Sequence, residues 1–452
     1  MEGTGKQAVL LIHGIGEQHP MDTLPGFVDA VWTSEDTVQH PHAKAGVWSK
    51  PDTISGNFEL RRLTTSANAG GVRTDFYEFY WQHLMQGNSL GHVSAWARVL
   101  LLRWPWNVPR RLFLAWLLLV ALGLLVLAFL ALTVVPAAYW PAWVPADLSP
   151  WVSGGAAALL AGLAIPTLRN VVGDAARYLH PAPANIERRQ EIRAKGVALV
   201  RKLHDAGYER IVVVGHSLGS VIGYDVLTYA WATYHGSGKG VGRSTGSAAA
   251  RVGALGQLEE AIAAEDADGY RTLQRALQQE LRRAGHGWRV TDFVTLGSPL
   301  AHADILLAQD RARLEKRQAI REFPTCPPTT EDGLISFPKD RVKRTLHHAA
   351  VFGPCRWSNL YFPARLLLHG DVIGGPLAGL FGWGVRDRPV RTRRRLGFLS
   401  HTLYWRPGPG THLEALREAV NLLGDHGSRD HDSRDQDSRD DAHGNDAHGD
   451  AT

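Results

Sequence analysis

Cysteine is nearly absent: Cys326 and Cys355 are the only two in 452 residues. That excludes a disulfide framework and a cysteine-built metal site, and it fits a reducing compartment. Nothing reads as a nucleic-acid module, although the formal net charge is +5. The arginines behind that charge flank one apolar insert or form the run Arg386–Arg395. A cleavable leader is not expected, because the first residues lead directly into an apolar strand pattern. Positive charge disappears over two stretches. Leu112 to Val135 carries no charged residue, and Pro136 to Pro150 carries no Lys or Arg.

The first gap has a physical consequence. Its 24 residues, at about 1.5 Å per residue, cross a hydrocarbon core of ~30 Å as a helix. Trp104, Trp106, Tyr139, Trp140 and Trp143 sit at its two ends, where aromatic belts form. Trp151 to Val172 is a second apolar segment, rich in Ala and Gly and interrupted by Pro166. Gly155, Ala158 and Gly162 would let it pack closely on the first helix. The expectation is a transmembrane hairpin with helices at about 112–135 and 151–172. Arg98, Arg103, Arg110 and Arg111 precede it, and Arg169, Arg177, Arg188, Arg189, Arg193 and Lys195 follow. The positive-inside rule then keeps both flanks in the cytoplasm, with an anionic lipid surface as the partner of these arginines.

The chemistry-bearing feature is Gly215-His216-Ser217-Leu218-Gly219. It follows the β-branched run Arg210–Val214 and leads into a helical pattern from Ser220 to Leu227. Strand, G-x-S-x-G, helix is the context of a nucleophile elbow, in which a tight turn projects the Ser hydroxyl above the sheet edge. The helix N-terminus beyond it favours developing negative charge. Near the start, the strand Ala8–Ile12 ends in His13-Gly14-Ile15-Gly16-Glu17-Gln18. A Gly-rich loop there suits a second backbone N–H aimed at an oxyanion. The candidate oxyanion donors are thus Leu218, Gly14 and Ile15. A third strand, Asp292–Leu296, runs into Gly297-Ser298-Pro299-Leu300. Ser298 lacks a flanking glycine pair and reads as a loop or pocket residue.

These three motifs together resemble the serine esterase/lipase type of α/β-hydrolase, in a poorly characterised bacterial branch of that superfamily. The resemblance spans roughly residues 7 to 420, apart from the insert. It implies an α/β-hydrolase fold, a mostly parallel sheet flanked by helices, and the chain order Ser, acid, His. The branch carries an Asp before an Ile-Gly-Gly turn, which implies Asp371 as the acid; Val372 stands where Pro is more frequent. Asp304, after another strand end, is the rival. Beyond the acid, His401 fits both the order and a His-x-x-Tyr ending. His412 opens the last helix (Thr411 to Leu423) and reads as a surface residue; His347 and His348 lie upstream of the acid. His401 is expected within hydrogen-bond reach of both Ser217 and a carboxylate.

The chain therefore divides into residues 1–103 and 178–424 of one hydrolase domain, the insert at 104–177 and a tail at 425–452. Further strands are expected at Phe58–Leu63, Thr74–Tyr80 and Trp357–Phe362, and a helix at Glu187–Ala206. The stretch Leu255–Arg283 reads as a lid or a connecting helix. The tail is polar, low in complexity and disordered by composition. The functional expectation is a membrane-anchored serine hydrolase (of a bacterial inner membrane) cleaving an ester of a lipid or another apolar acyl group. No cofactor, metal or nucleic acid takes part. A non-catalytic membrane scaffold and an acyltransferase using the same residues are the alternatives.

Overall fold

The computed structural model describes residues 5–14, 19–35, 38, 46–85, 104–108, 110–142, 144–145, 154–156, 158–160, 178, 183–236, 253–338, 344–364, 370–392 and 397–423. Ten strands lie among them: β1 (Lys6–Ile12), β2 (Val47–Pro51), β3 (Arg61–Ala67), β4 (Arg73–Phe79), β5 (Arg210–His216), β6 (Val290–Leu296), β7 (Ser336–Phe337), β8 (Thr345–Leu346), β9 (Arg356–Tyr361) and β10 (Arg386–Pro389). Eight form one sheet in the order β10-β9-β6-β5-β1-β4-β3-β2, and β7 pairs with β8 apart from it. The six strands from β10 to β4 run parallel, and β3 and β2 add an antiparallel edge.

The central strands are apolar without alternation because both faces are covered. Successive side chains divide between two cores at the strand period of two. Ala8, Leu10, Ile12, Ile211 and Val213 face one core, while Val9, Leu11, Val212 and Val214 face the other. The first core is closed by helices Pro183–Asp205, Leu218–Tyr234, Ala254–Ala263 and Ala267–Arg283, through residues such as Leu199, Val221, Leu258 and Leu277. The second is closed by Leu24–Val28 and His412–Ala419, through Leu24, Phe27 and Leu416. This is an α/β architecture with helices on both faces of a mostly parallel sheet.

Three expectations change. The strand expected at Phe58–Leu63 begins three residues later, and Phe58 is 99% exposed. The Asp52 carboxylate accepts the Ile54 and Ser55 N–H groups at 2.8 and 3.0 Å, ending β2 in a side-chain-capped turn. The charged run at Arg386 supplies an edge strand, β10. The stretch Leu255–Arg283 is two helices, and the second lines clefts at the amino-terminal ends of the strands. It is therefore a connecting helix and not a lid over Ser217.

Among the described residues one helix, Arg110–Val134, is long and apolar enough to cross a membrane, and no described residue of its window Trp116–Val134 is fully buried. Of the second apolar segment, residues 154–156 and 158–160 are described, and they are helical. There a Cβ on Gly154 would lie 3.3 Å from Thr133 Cγ2. Gly154 thus meets the first helix, whereas a Cβ on Gly155 would face open space. Gly162 and the tail at 425–452 lie outside the described residues.

Candidate active site

Strand order decides where a site can form. The chain leaves β1, builds β2 to β4 on one side, then crosses to β5 on the other. Such a reversal opens a crevice at the carboxyl ends of the strands. Ile12 pairs with Gly215, His216 with Leu296, and Leu296 with Leu360, so the ends of β1, β5, β6 and β9 lie at one level. His13, Ser217, Gly297 and, after a short excursion, Asp371 emerge there.

Ser217 follows β5 directly and has φ 53° and ψ −129°. A non-glycine residue in that region is strained and persists only where its surroundings impose it. Those surroundings are close backbone contacts. A Cβ at Gly215 would sit 2.5 Å from Ser220 Cα, and one at Gly219 only 2.1 Å from the Ile12 carbonyl oxygen. The first turn of the Leu218–Tyr234 helix is thus pressed onto the end of β1, and only glycine permits it. Leu218 is the first helical residue, so its N–H has no acceptor one turn back.

Gly14 packs against the same serine: a Cβ there would lie 2.8 Å from Ser217 Cβ. Beside it His13 is fully buried, stacks on Trp81 at 5.2 Å, and its Nδ1 meets the Gly14 carbonyl at 2.9 Å. Burial pushes the His13 imidazole down to about 4, against the opposing pull of that hydrogen bond. Ile15 lies outside the described residues.

Asp371 and His401 come together. Asp371 Oδ2 accepts from His401 Nδ1 at 2.9 Å and from the Tyr404 hydroxyl at 2.8 Å, while Oδ1 accepts the Ile373 N–H at 2.9 Å. Burial alone would raise this carboxyl, yet His401, Tyr404 and the Gly374 N–H hold it at about 2. Because Nδ1 faces a carboxylate, it carries the proton of the neutral ring, and the lone pair is left on Nε2. His401 Nε2 is buried without a hydrogen-bond partner. The carboxylate contact expected of His401 is present, and a hydrogen bond to Ser217 is not formed. Such bonds are commonly long in ligand-free sites and tighten when substrate binds.

Gly297 sets the floor beneath this pair. Its φ is 55°, and a Cβ there would lie 2.6 Å from Tyr404, 2.7 Å from Asp371 Oδ2 and 3.0 Å from His401 Nδ1. The Asp371 loop is anchored from below. Asn359 Nδ2 donates to the Gly375 carbonyl and to Asp387, and Asp387 accepts the Leu377 and Ala378 N–H groups. The Ser217 turn and the His401 loop also touch directly: His216 Nε2 donates to the His401 carbonyl at 2.8 Å, with ring centroids 4.9 Å apart.

The other candidates lie elsewhere. Asp304 accepts the Ile305 N–H at 3.1 Å. His412 is buried, not a surface residue, and its Nε2 donates to the Arg406 carbonyl; it opens a helix that ends at Ala419. His347 bonds the Thr329 carbonyl and the Ala349 N–H. Ser298 is fully buried and bonds Ser220 Oγ at 2.6 Å, so it supports the elbow. Tyr404, Gly297 and His216 were not foreseen. Their signals were the His-x-x-Tyr spacing, a Gly ending a buried strand, and the inner residue of the elbow itself. No protein-family model, curated protein or solved structure matches this chain.

Proposed function

We propose that this chain is a membrane-anchored serine hydrolase that cleaves carboxylic esters through an acyl-enzyme on Ser217, on an α/β-hydrolase fold. The observation that carries the reading is the His401–Asp371 hydrogen bond beside a strained Ser217, with the other imidazole nitrogen buried and unengaged. His401 Nε2 takes the Ser217 proton as Oγ attacks the ester carbonyl. Asp371 stays ionised, holds the tautomer and stabilises the imidazolium. The Leu218 N–H and the Gly14–Ile15 loop stabilise the tetrahedral oxyanion. His401 then returns the proton to the leaving alcohol, and water repeats the sequence to release the acid. The apolar helix and the segment after it anchor the protein as a hairpin, with the domain on the cytoplasmic side by the positive-inside rule. An apolar acyl substrate drawn from the bilayer suits that position.

A fluorophosphonate probe should label the purified protein at Ser217, and Ser217→Ala should abolish labelling. Asp371→Asn should lower turnover of an activated ester by about 10⁴-fold. A folded wild type that stays unlabelled defeats the proposal.

A further inference from the structure

Two adjoining clefts open at the end of the sheet opposite Ser217. One has a volume of about 140 Å³ and the other about 460 Å³, the latter within the ~300–1,000 Å³ range of ligand sites. They share Arg210, Arg275, Asp292 and Arg356 as a common wall. Arg210 opens β5, Arg356 opens β9, Asp292 lies near the start of β6, and Arg275 projects from the Ala267–Arg283 helix. Among the described residues the two linings hold eight Lys or Arg side chains against four carboxylates.

The shared wall concentrates this excess. Asp292 is its single carboxylate. Burial would raise that group, but the Arg356 and Arg210 guanidiniums hold it below its ordinary range. Arg356 Nη2 is ion-paired with Asp292 Oδ1 and also reaches Asn421 Oδ1 at 2.9 Å, while Arg275 Nη2 lies 3.5 Å from that same amide oxygen. Three guanidiniums around a single carboxylate leave this wall with net positive charge, which favours an anionic oxygen. Further along the larger cleft, Arg386 and Arg388 share the Glu418 carboxylate. The guanidinium is a planar fork suited to bidentate phosphate recognition, and strand ends and a helix hold these forks in fixed relation.

We propose that this amino-terminal cleft is a second site, which binds a phosphate-bearing anion between Arg210, Arg275 and Arg356. The chemistry is that of a phosphate monoester, and two sources present it: a soluble metabolite or an anionic lipid headgroup. The site stands independently of the chemistry at Ser217.

The test is calorimetric titration of the full-length protein in neutral detergent, at fixed ionic strength. Pyrophosphate and a short-chain, water-soluble phosphatidate are the probes, and chloride is the control. Saturable binding of at least one probe is expected, weakened tenfold or more in the double variant Arg210→Gln/Arg275→Gln, with fluorophosphonate labelling of Ser217 unchanged. Pyrophosphate binding alone assigns the site to a soluble phosphate ester, and binding of both probes admits the headgroup. If neither probe binds the wild type saturably, the proposal is overturned. It is equally overturned if the folded double variant binds as tightly as the wild type. Should that variant not fold, the wild-type titration against chloride decides.

Discussion

His216 Nε2 lies 2.8 Å from the main-chain carbonyl oxygen of His401 and donates to it. The residue before the candidate nucleophile therefore holds the loop that carries the candidate base. Burial, reinforced by the neighbouring His401, pushes the His216 imidazole down to about 3, so it remains a neutral donor across the physiological range. Removing the donor should loosen the approach of His401 to Ser217 without touching substrate. His216→Leu should lower kcat on a small activated ester by about 10²-fold, with KM little changed, because misplacement by about 1 Å costs that much. His216→Gln, which keeps an N–H at similar reach, should recover most of the loss. Equal impairment in both variants, or none in His216→Leu, counts against the coupling.

A buried relay fixes the main chain of Ser217. The Leu300 N–H donates to Ser298 Oγ, Ser298 bonds Ser220 Oγ at 2.6 Å, and Ser220 Oγ donates to the Ser217 carbonyl at 2.6 Å. Ser298→Ala leaves the Leu300 N–H and Ser220 Oγ each short of a partner in a fully buried place. The expected cost is about 1–3 kcal/mol of stability, seen as a lowered Tm, together with slower fluorophosphonate labelling as the strained elbow relaxes. Unchanged Tm and labelling would mean that the relay does not constrain the elbow.

Stability should fall as the solution is acidified from about pH 6.5 towards 4. Burial lowers His13, His204, His286 and His347 to about 4, and His216 to about 3, from an ordinary 6.5. In that window the unfolded chain binds more protons than the folded one, so each such group weakens the native state by at most about 1.4 kcal/mol per pH unit. Glu78, raised by burial to about 7, acts oppositely: its contribution is present at low pH and lost as pH rises through 7. One carboxyl against five imidazoles does not reverse the sign. Asp371 adds stability that is present above 3.8 and lost as pH falls towards 2. A Tm that is flat or rises between pH 6.5 and 4 contradicts this account.

Replacing residues 104–177 with a short flexible linker should give a soluble protein that keeps its small-ester activity. No group proposed for the chemistry falls within that span. Turnover of bilayer-embedded substrates should drop much further than that of soluble ones. A folded excision variant without small-ester activity would place part of the site in the insert.

The elbow was legible because several levels agree there: an apolar strand, a glycine pair and a helical pattern meet at Ser217. The central strands were legible for the related reason that burial on both faces leaves unbroken runs of Val, Ile and Leu. The edge strands were not. Val47–Pro51 is mostly exposed and carries no such run, and Arg386–Pro389 is written mostly in charge, since its arginines pair with Glu418. His412 was misplaced because its burial comes from tertiary packing beside Phe362, which leaves no local signal. Gly297 was visible only as a strand-ending glycine. Its part in seating Asp371 and His401 depends on loops more than 70 residues further along the chain.

The position of β1 has a consequence for biosynthesis. Val9 pairs with Phe76 on one side and with Val212 on the other, and Gln7 Nε2 donates to the carbonyl of Val420. A ribosome therefore releases the first strand, and then the entire apolar segment, before β1 can acquire its second neighbour. Contacts so distant in sequence form slowly, and until β5 emerges one edge of β1 has no strand to pair with. The sheet can be completed only after the apolar segment has left the ribosome, so the fate of that segment becomes a step on the folding route of the domain it interrupts.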